Sequence, residues 1–184
     1  MKSMRIALVF VGIVAMVGIA AHAQTQVFVP GNASGYFGRD VYGLVPLVPA
    51  ITVSGPGTIT VTYVSGTVDY GAGIEVGPNG GFHPASGGQF PLQEARGVAP
   101  HTKVNNMAAL FGVFVPQARV ARKGFTAIDG TKNATRVGIK PDQLFFIGGI
   151  KTFPVTQAGT LYLGINDQYV GDNSGGFTVD VSVH

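Results

Sequence analysis

Near its C-terminus the chain reads GINDQYVGDNSGGFTVDV, residues 164–181, and this stretch gathers the side chains best suited to chemistry. Asp167, Asp172 and Asn173 bring carboxylate and amide oxygens close together, and Gly171, Gly175 and Gly176 allow the backbone to fold tightly around them. Two chemistries use such residues. One is a hydrolytic serine, with Ser174 as nucleophile. The other is an oxygen-rich cage for a hard cation.

The serine reading starts from GDNSGG (171–176), which differs by one inserted Asn from the GDSGG around the nucleophile of trypsin-like proteases. A His, Asp, Ser order can be assembled from His83 or His101, then Asp129 or Asp142, then Ser174. Architecture argues against it. The chain ends at His184, so the length after Ser174 suits one strand, whereas a trypsin-like double barrel needs far more. Neither histidine sits in a catalytic motif, and no G-x-S-x-G elbow occurs. Ser174 is expected to be a turn residue, and the protein is expected not to be an enzyme.

For the cation, Ca²⁺ takes about six to eight oxygens from carboxylates, amides and main-chain carbonyls. Asp167, Asp172 and Asn173 stand in a short connection between two strand-like segments, which would aim their oxygens at a common point. An ordinary Asn/Asp/Gly turn, closed by side-chain-to-backbone hydrogen bonds, uses the same residues without a metal. The residues alone leave both open.

The elements that must position this connection read as strands. GTITVTYVSG alternates Ile59, Val61 and Tyr63 with Thr58, Thr60 and Thr62, the pattern of a half-buried strand. ALFGVFVP (109–116), LFFIGGI (144–150) and GTLYLGIND (159–167) read as more deeply buried strands. GFTVDVSV (176–183) alternates again, with Phe177, Val179, Val181 and Val183 inward. Residues 70–106 are rich in Gly, Pro and Asn and read as long loops. Many short strands with Gly-rich turns predict an all-β, jelly-roll-like β-sandwich, folded as a single domain over residues 24–184.

The N-terminus carries Lys2 and Arg5, an apolar run from Ile6 to Ala21, and Ala21-His22-Ala23 before Gln24, the layout of a signal peptide over 1–23 cleaved after Ala23. A secreted, periplasmic or cell-surface location follows, with no membrane attachment after cleavage. Of the 12 Lys and Arg, the leader holds Lys2 and Arg5, which leaves the mature chain near balance with its 9 acidic residues. Such a chain lacks the electrostatic footprint of a nucleic-acid binder. The basic cluster Arg119, Arg122 and Lys123 reads as a solvated loop. Cysteine is absent, which excludes disulfides and thiol chemistry. Charged residues make up 11% of the chain, against about 25% in an ordinary soluble domain. Surfaces of this kind stack against sugars, wall polymers or copies of themselves, so glycans and self-association into a homo-oligomer are the expected partnerships.

The C-terminal segment resembles that of the PA-IL (LecA) type of calcium-dependent galactose-binding bacterial lectins. Their signature is a strand ending in Asn-Asp, a short loop, then Gly-Asn-Asn-Ser-Gly-x-Phe and a last alternating strand; GTLYLGINDQYVGDNSGGFTVDV follows that order. Upstream, VDYGAGIEVGPNGGFHP (68–84) is similar to the family's Tyr-Gly pair, Gly-Pro loop and His-Pro. The similarity spans roughly residues 58–183. It implies a jelly-roll sandwich with Ca²⁺ held by the side chains of Asp167, Asp172 and Asn173 and the carbonyls of Tyr70 and Tyr169. It also implies that two sugar hydroxyls complete the ion's shell, with His83, Asp167, Gln168, Asp172 and Asn173 forming the sugar site. Three departures bear on this. The loop from Asp167 to Asp172 is two residues shorter than the family's, Asp172 replaces an asparagine, and Ser86 replaces a sugar-contacting glutamine. The alternative is an extracellular structural or self-assembling protein whose Ca²⁺ only stabilises the C-terminal loop.

Overall fold

The computed structural model describes residues 24–33, 47–71, 73–83, 92, 104–117, 144–167 and 169–184. The expected leader, Gln168, Ser86, His101, Asp129, Asp142 and the basic cluster at 119–123 lie outside the described residues. The strands are β1 (Gln24–Pro30), β2 (Val48–Val53), β3 (Gly57–Ser65), β4 (Val68–Asp69), β5 (Glu75–Val76) and β6 (Gly81–His83). They continue with β7 (Val104–Met107), β8 (Leu110–Pro116), β9 (Leu144–Phe146), β10 (Ile150–Val155), β11 (Gly159–Ile165) and β12 (Ser174–Val183). The fold is all-β, and every pairing among the described strands is antiparallel.

One sheet runs β10-β3-β12-β4-β5, with β1 also paired to β12; a second runs β2-β11-β8-β9, and β6-β7 form a two-stranded ribbon. The first two pack face to face, as a single apolar cluster draws from both. Val27, Val29, Ile59, Val61, Phe177, Val179 and Val181 come from the first sheet, and Ala50, Val53, Leu110, Leu161, Leu163 and Ile165 from the second. Alternation is the cause. Side chains two residues apart share a face of a strand, so each of these strands turns an apolar row inward. Burying a side chain such as Phe177, which is fully enclosed, contributes about 1.5–3 kcal/mol.

β8 is buried on both faces. Leu110 joins the inter-sheet core, while Phe111, Val113 and Val115 join a second cluster with Leu47, Leu92 and Leu144. Its continuous apolar run is the pattern of a strand covered on both sides.

Three expectations need correction. LFFIGGI is not one strand: Gly148, at φ 64°, turns the chain, and β9 and β10 belong to different sheets. Residues 70–106 are not loop throughout, since β5, β6, β7 and their pairings fall within or across them. Ser174 opens β12, opposite Asp69, and so is a paired strand residue rather than a turn residue.

Candidate metal centre

The site is built where β11 ends and β12 begins. Asp167 follows directly on β11 and is 1% exposed. Its Oδ1 accepts a hydrogen bond from the Tyr169 amide at 3.1 Å, and its Oδ2 is also buried. The chain then makes a single 3₁₀ turn over Val170–Asp172, anchored by the buried side chain of Val170. Tyr169 precedes that turn, and the Asn173 amide closes it by donating to the Val170 carbonyl at 3.3 Å. The Tyr169 ring is exposed.

The β4–β5 hairpin closes the site from the other side. Asp69 is opposite Ser174 in the ladder, so Tyr70 falls one step beyond the paired residues, beside Asn173. Asp69 Oδ1 accepts from the Gly71 amide at 2.9 Å, and the Ile74 amide donates to the Gly71 carbonyl at 3.4 Å. Gly71 has φ 104°, and a Cβ placed on it would lie 2.8 Å from Asp172 Oδ2. The positive φ is what favours glycine, since the exposed Asp172 carboxylate can shift away from a Cβ. The Tyr70 ring is partly buried and packs on Met107 and the core, and its amide donates to the Ile74 carbonyl at 3.3 Å.

Asn173 joins this corner to the other end of the chain. Its Nδ2 donates to the Gly31 carbonyl at 2.9 Å, and the Gly31 amide donates to the Gly175 carbonyl at 2.9 Å. A Cβ on Gly31 would lie 2.7 Å from the Ser174 carbonyl oxygen, and that contact requires glycine. With its donor committed, Asn173 has a fixed amide orientation. Its Oδ1 is buried and has no hydrogen-bond partner among the described residues. A buried acceptor left in that state is costly unless some group satisfies it.

Of the predicted residues, Asp167 bonds to Tyr169, while Asp172 lies against Gly71, the neighbour of Tyr70, and Asn173 bonds to Gly31. No three His, Cys, Asp or Glu side chains cluster as a metal-binding group among the described residues. A cation here would depend on two carboxylates, one amide and main-chain oxygens, a donor set suited to Ca²⁺ rather than to a softer metal. His83 ends β6, opposite Val104, in a ribbon that borders the site because Gly81 lies against the Tyr70 ring. The orientation of the His83 side chain, like Gln168, is outside the described residues.

Sequence reasoning missed Asn166. It is fully buried, and its four polar groups are all engaged. Its amide donates to the Ala109 carbonyl at 2.8 Å and its carbonyl accepts from the Ala108 amide at 2.8 Å. Its Oδ1 accepts from the Leu92 amide at 2.9 Å, and its Nδ2 donates to the Asn106 carbonyl at 2.8 Å. Asn106 and Ala108 both have positive φ, 71° and 57°, a conformation that costs a non-glycine residue on the order of 1–3 kcal/mol. No local pattern marks these partners, which are remote in sequence. Gly31 was missed for the same reason.

No protein-family model matches the chain, and a search of curated proteins finds no match for it.

Proposed function

We propose that the protein is an exported, calcium-dependent carbohydrate-binding protein of PA-IL-like type, built as a jelly-roll β-sandwich and acting by binding without catalysis. The side chains of Asp167, Asp172 and Asn173, with the carbonyls of Tyr70 and Tyr169, would hold Ca²⁺. When bound, that ion would supply open coordination positions for two neighbouring hydroxyls of a galactose-like sugar. Asp167, Asp172, Asn173, Gln168 and His83 would contact the same sugar.

The observation that carries this reading is the buried Asn173 Oδ1, an acceptor with no hydrogen-bond partner among the described residues, next in sequence to Asp172. A hard cation would satisfy such an oxygen. The leader supports export, and the low content of charge supports a glycan partner.

A second reading, in which the ion is a structural staple, draws support from the contacts themselves. Asn173 on Gly31 and Asp172 against Gly71 already tie the loop to β1 and to the β4–β5 hairpin. An ion at that junction would strengthen both.

Thermal unfolding with Ca²⁺ and with EDTA tests the metal site. An ion that binds only the folded loop stabilises it by about 2.7 kcal/mol at a hundredfold excess over Kd. The transition should therefore rise in Ca²⁺, and Asp167→Ala should abolish the rise. Coincident curves for the wild type in Ca²⁺ and EDTA would overturn the site.

A further inference from the structure

The geometry points to Asn166 as the positioning residue of the proposed calcium site: it aims Asp167 by clamping the end of β11 to three other segments. This rests on the calcium reading above and goes beyond it, because Asn166 is not among the ligands that reading requires.

Three observations carry the inference. First, the main chain of Asn166 extends the β11–β8 ladder one step past Ile165, through its bonds to Ala108 and Ala109. The backbone that emerges at Asp167 is therefore held on both sides of its preceding residue. Second, the side chain spans two further segments. Oδ1 holds the Leu92 amide, and Nδ2 holds the Asn106 carbonyl. Leu92 is buried in the second apolar cluster, so the bond ties the metal corner to the outer face of β8. Third, Asn106 is the extra residue of a bulge in the β6–β7 ribbon, where the register shifts between Gly81 and Phe82. A bulge with a left-handed residue re-aims its backbone, and here the Asn106 carbonyl serves both the Ala109 amide and Asn166 Nδ2. The clamp thus reaches the ribbon that carries His83 and retains the two left-handed residues, Asn106 and Ala108.

Asparagine is the residue this junction requires. Aspartate would set an oxygen against the Asn106 carbonyl and bury a second charge beside Asp167. Leucine would leave the Leu92 amide without its partner and the Asn106 carbonyl with the Ala109 amide alone. A residue that fixes a ligand's backbone through others alters metal affinity without touching the metal.

The test measures the Ca²⁺ Kd by titration calorimetry, and amide hydrogen exchange in EDTA, for the wild type and Asn166→Ser well below the variant's transition. The expected result is a Kd raised about tenfold or more, with faster exchange at Leu92 and Ala108 while β3 stays protected. A simple loss of stability would lower the melting point equally in Ca²⁺ and EDTA and leave Kd unchanged. Should Asn166→Ser fail to fold, Ala108→Gly in the same background relieves one left-handed residue; the single Ala108→Gly variant serves as its control. That control should keep a Kd within about twofold of the wild type, and the double variant should show the weakened Kd. A wild-type Kd in the folded Asn166→Ser or double variant overturns the positioning role alone. A wild type that takes up no Ca²⁺ overturns the metal site, and the positioning role with it.

Discussion

The side-chain amide of Asn173 donates to the main-chain carbonyl of Gly31 at 2.9 Å, joining the start of the last strand to the turn after the first. That bond fixes which way Asn173 presents its oxygen, and so links the closure of the sheet to the chemistry of the loop. Asn173→Asp replaces the donor with an oxygen facing the Gly31 carbonyl. In EDTA it should cost about 1–3 kcal/mol, the range for a buried acceptor that loses its partner. Added Ca²⁺ should restore part of that loss by neutralising the new charge. Chemical unfolding of both proteins, with and without the ion, checks the two statements; an unchanged stability in EDTA would contradict the first.

Gly71 should not tolerate a side chain. Its φ is 104°, and a Cβ there would come within 2.8 Å of Asp172 Oδ2, so Gly71→Ala strains the hairpin and displaces the carboxylate. The expected cost is on the order of 1–3 kcal/mol, with weaker Ca²⁺ binding in the same variant. Thermal melting and calorimetry measure both. An alanine variant as stable as the wild type would show that the hairpin does not hold this conformation.

Alkaline pH offers a separate check on the second apolar cluster. Burial raises the Tyr162 phenol above its ordinary value of 10.0. The folded state therefore keeps Tyr162 neutral where the unfolded chain has begun to ionise. Its contribution is fully present below the unfolded value and is lost as pH rises through the folded one. Stability should fall above about pH 10, and Tyr162→Phe should lessen that fall. Equal pH profiles for variant and wild type would contradict it.

The proposed export, with cleavage after Ala23, has a covalent consequence. The mature chain should begin at Gln24, the residue that opens β1 opposite Ser182. Intact mass and N-terminal sequencing of protein from the producing cell check this, and a retained Met1 would contradict it.

How far the fold was legible depended on alternation. β3, β11 and β12 declare themselves because their inward positions are apolar along most of their length. β10 does not, because Ile150, Lys151, Thr152 and Pro154 are exposed and only Val155 is buried. β1 was hidden for a similar reason, with Val27 and Val29 its only buried members. At the proposed metal corner, Asp167, Asp172 and Asn173 could be read from composition and spacing. Gly31, Gly71 and Asn166 could not, since their roles arise from contacts between segments that only the folded chain brings together.

The central claim is that Ca²⁺ at this corner recognises a sugar, and titration calorimetry of a simple galactoside tests it most directly. With saturating Ca²⁺ the galactoside should bind weakly, because few of its atoms are buried, and EDTA should abolish the binding. His83→Ala should weaken it by about 0.5–1.5 kcal/mol, one hydrogen bond, while leaving the calcium-dependent melting shift intact. A protein that Ca²⁺ stabilises but that gives no galactoside binding at saturating ion would contradict the account and leave the ion as a staple.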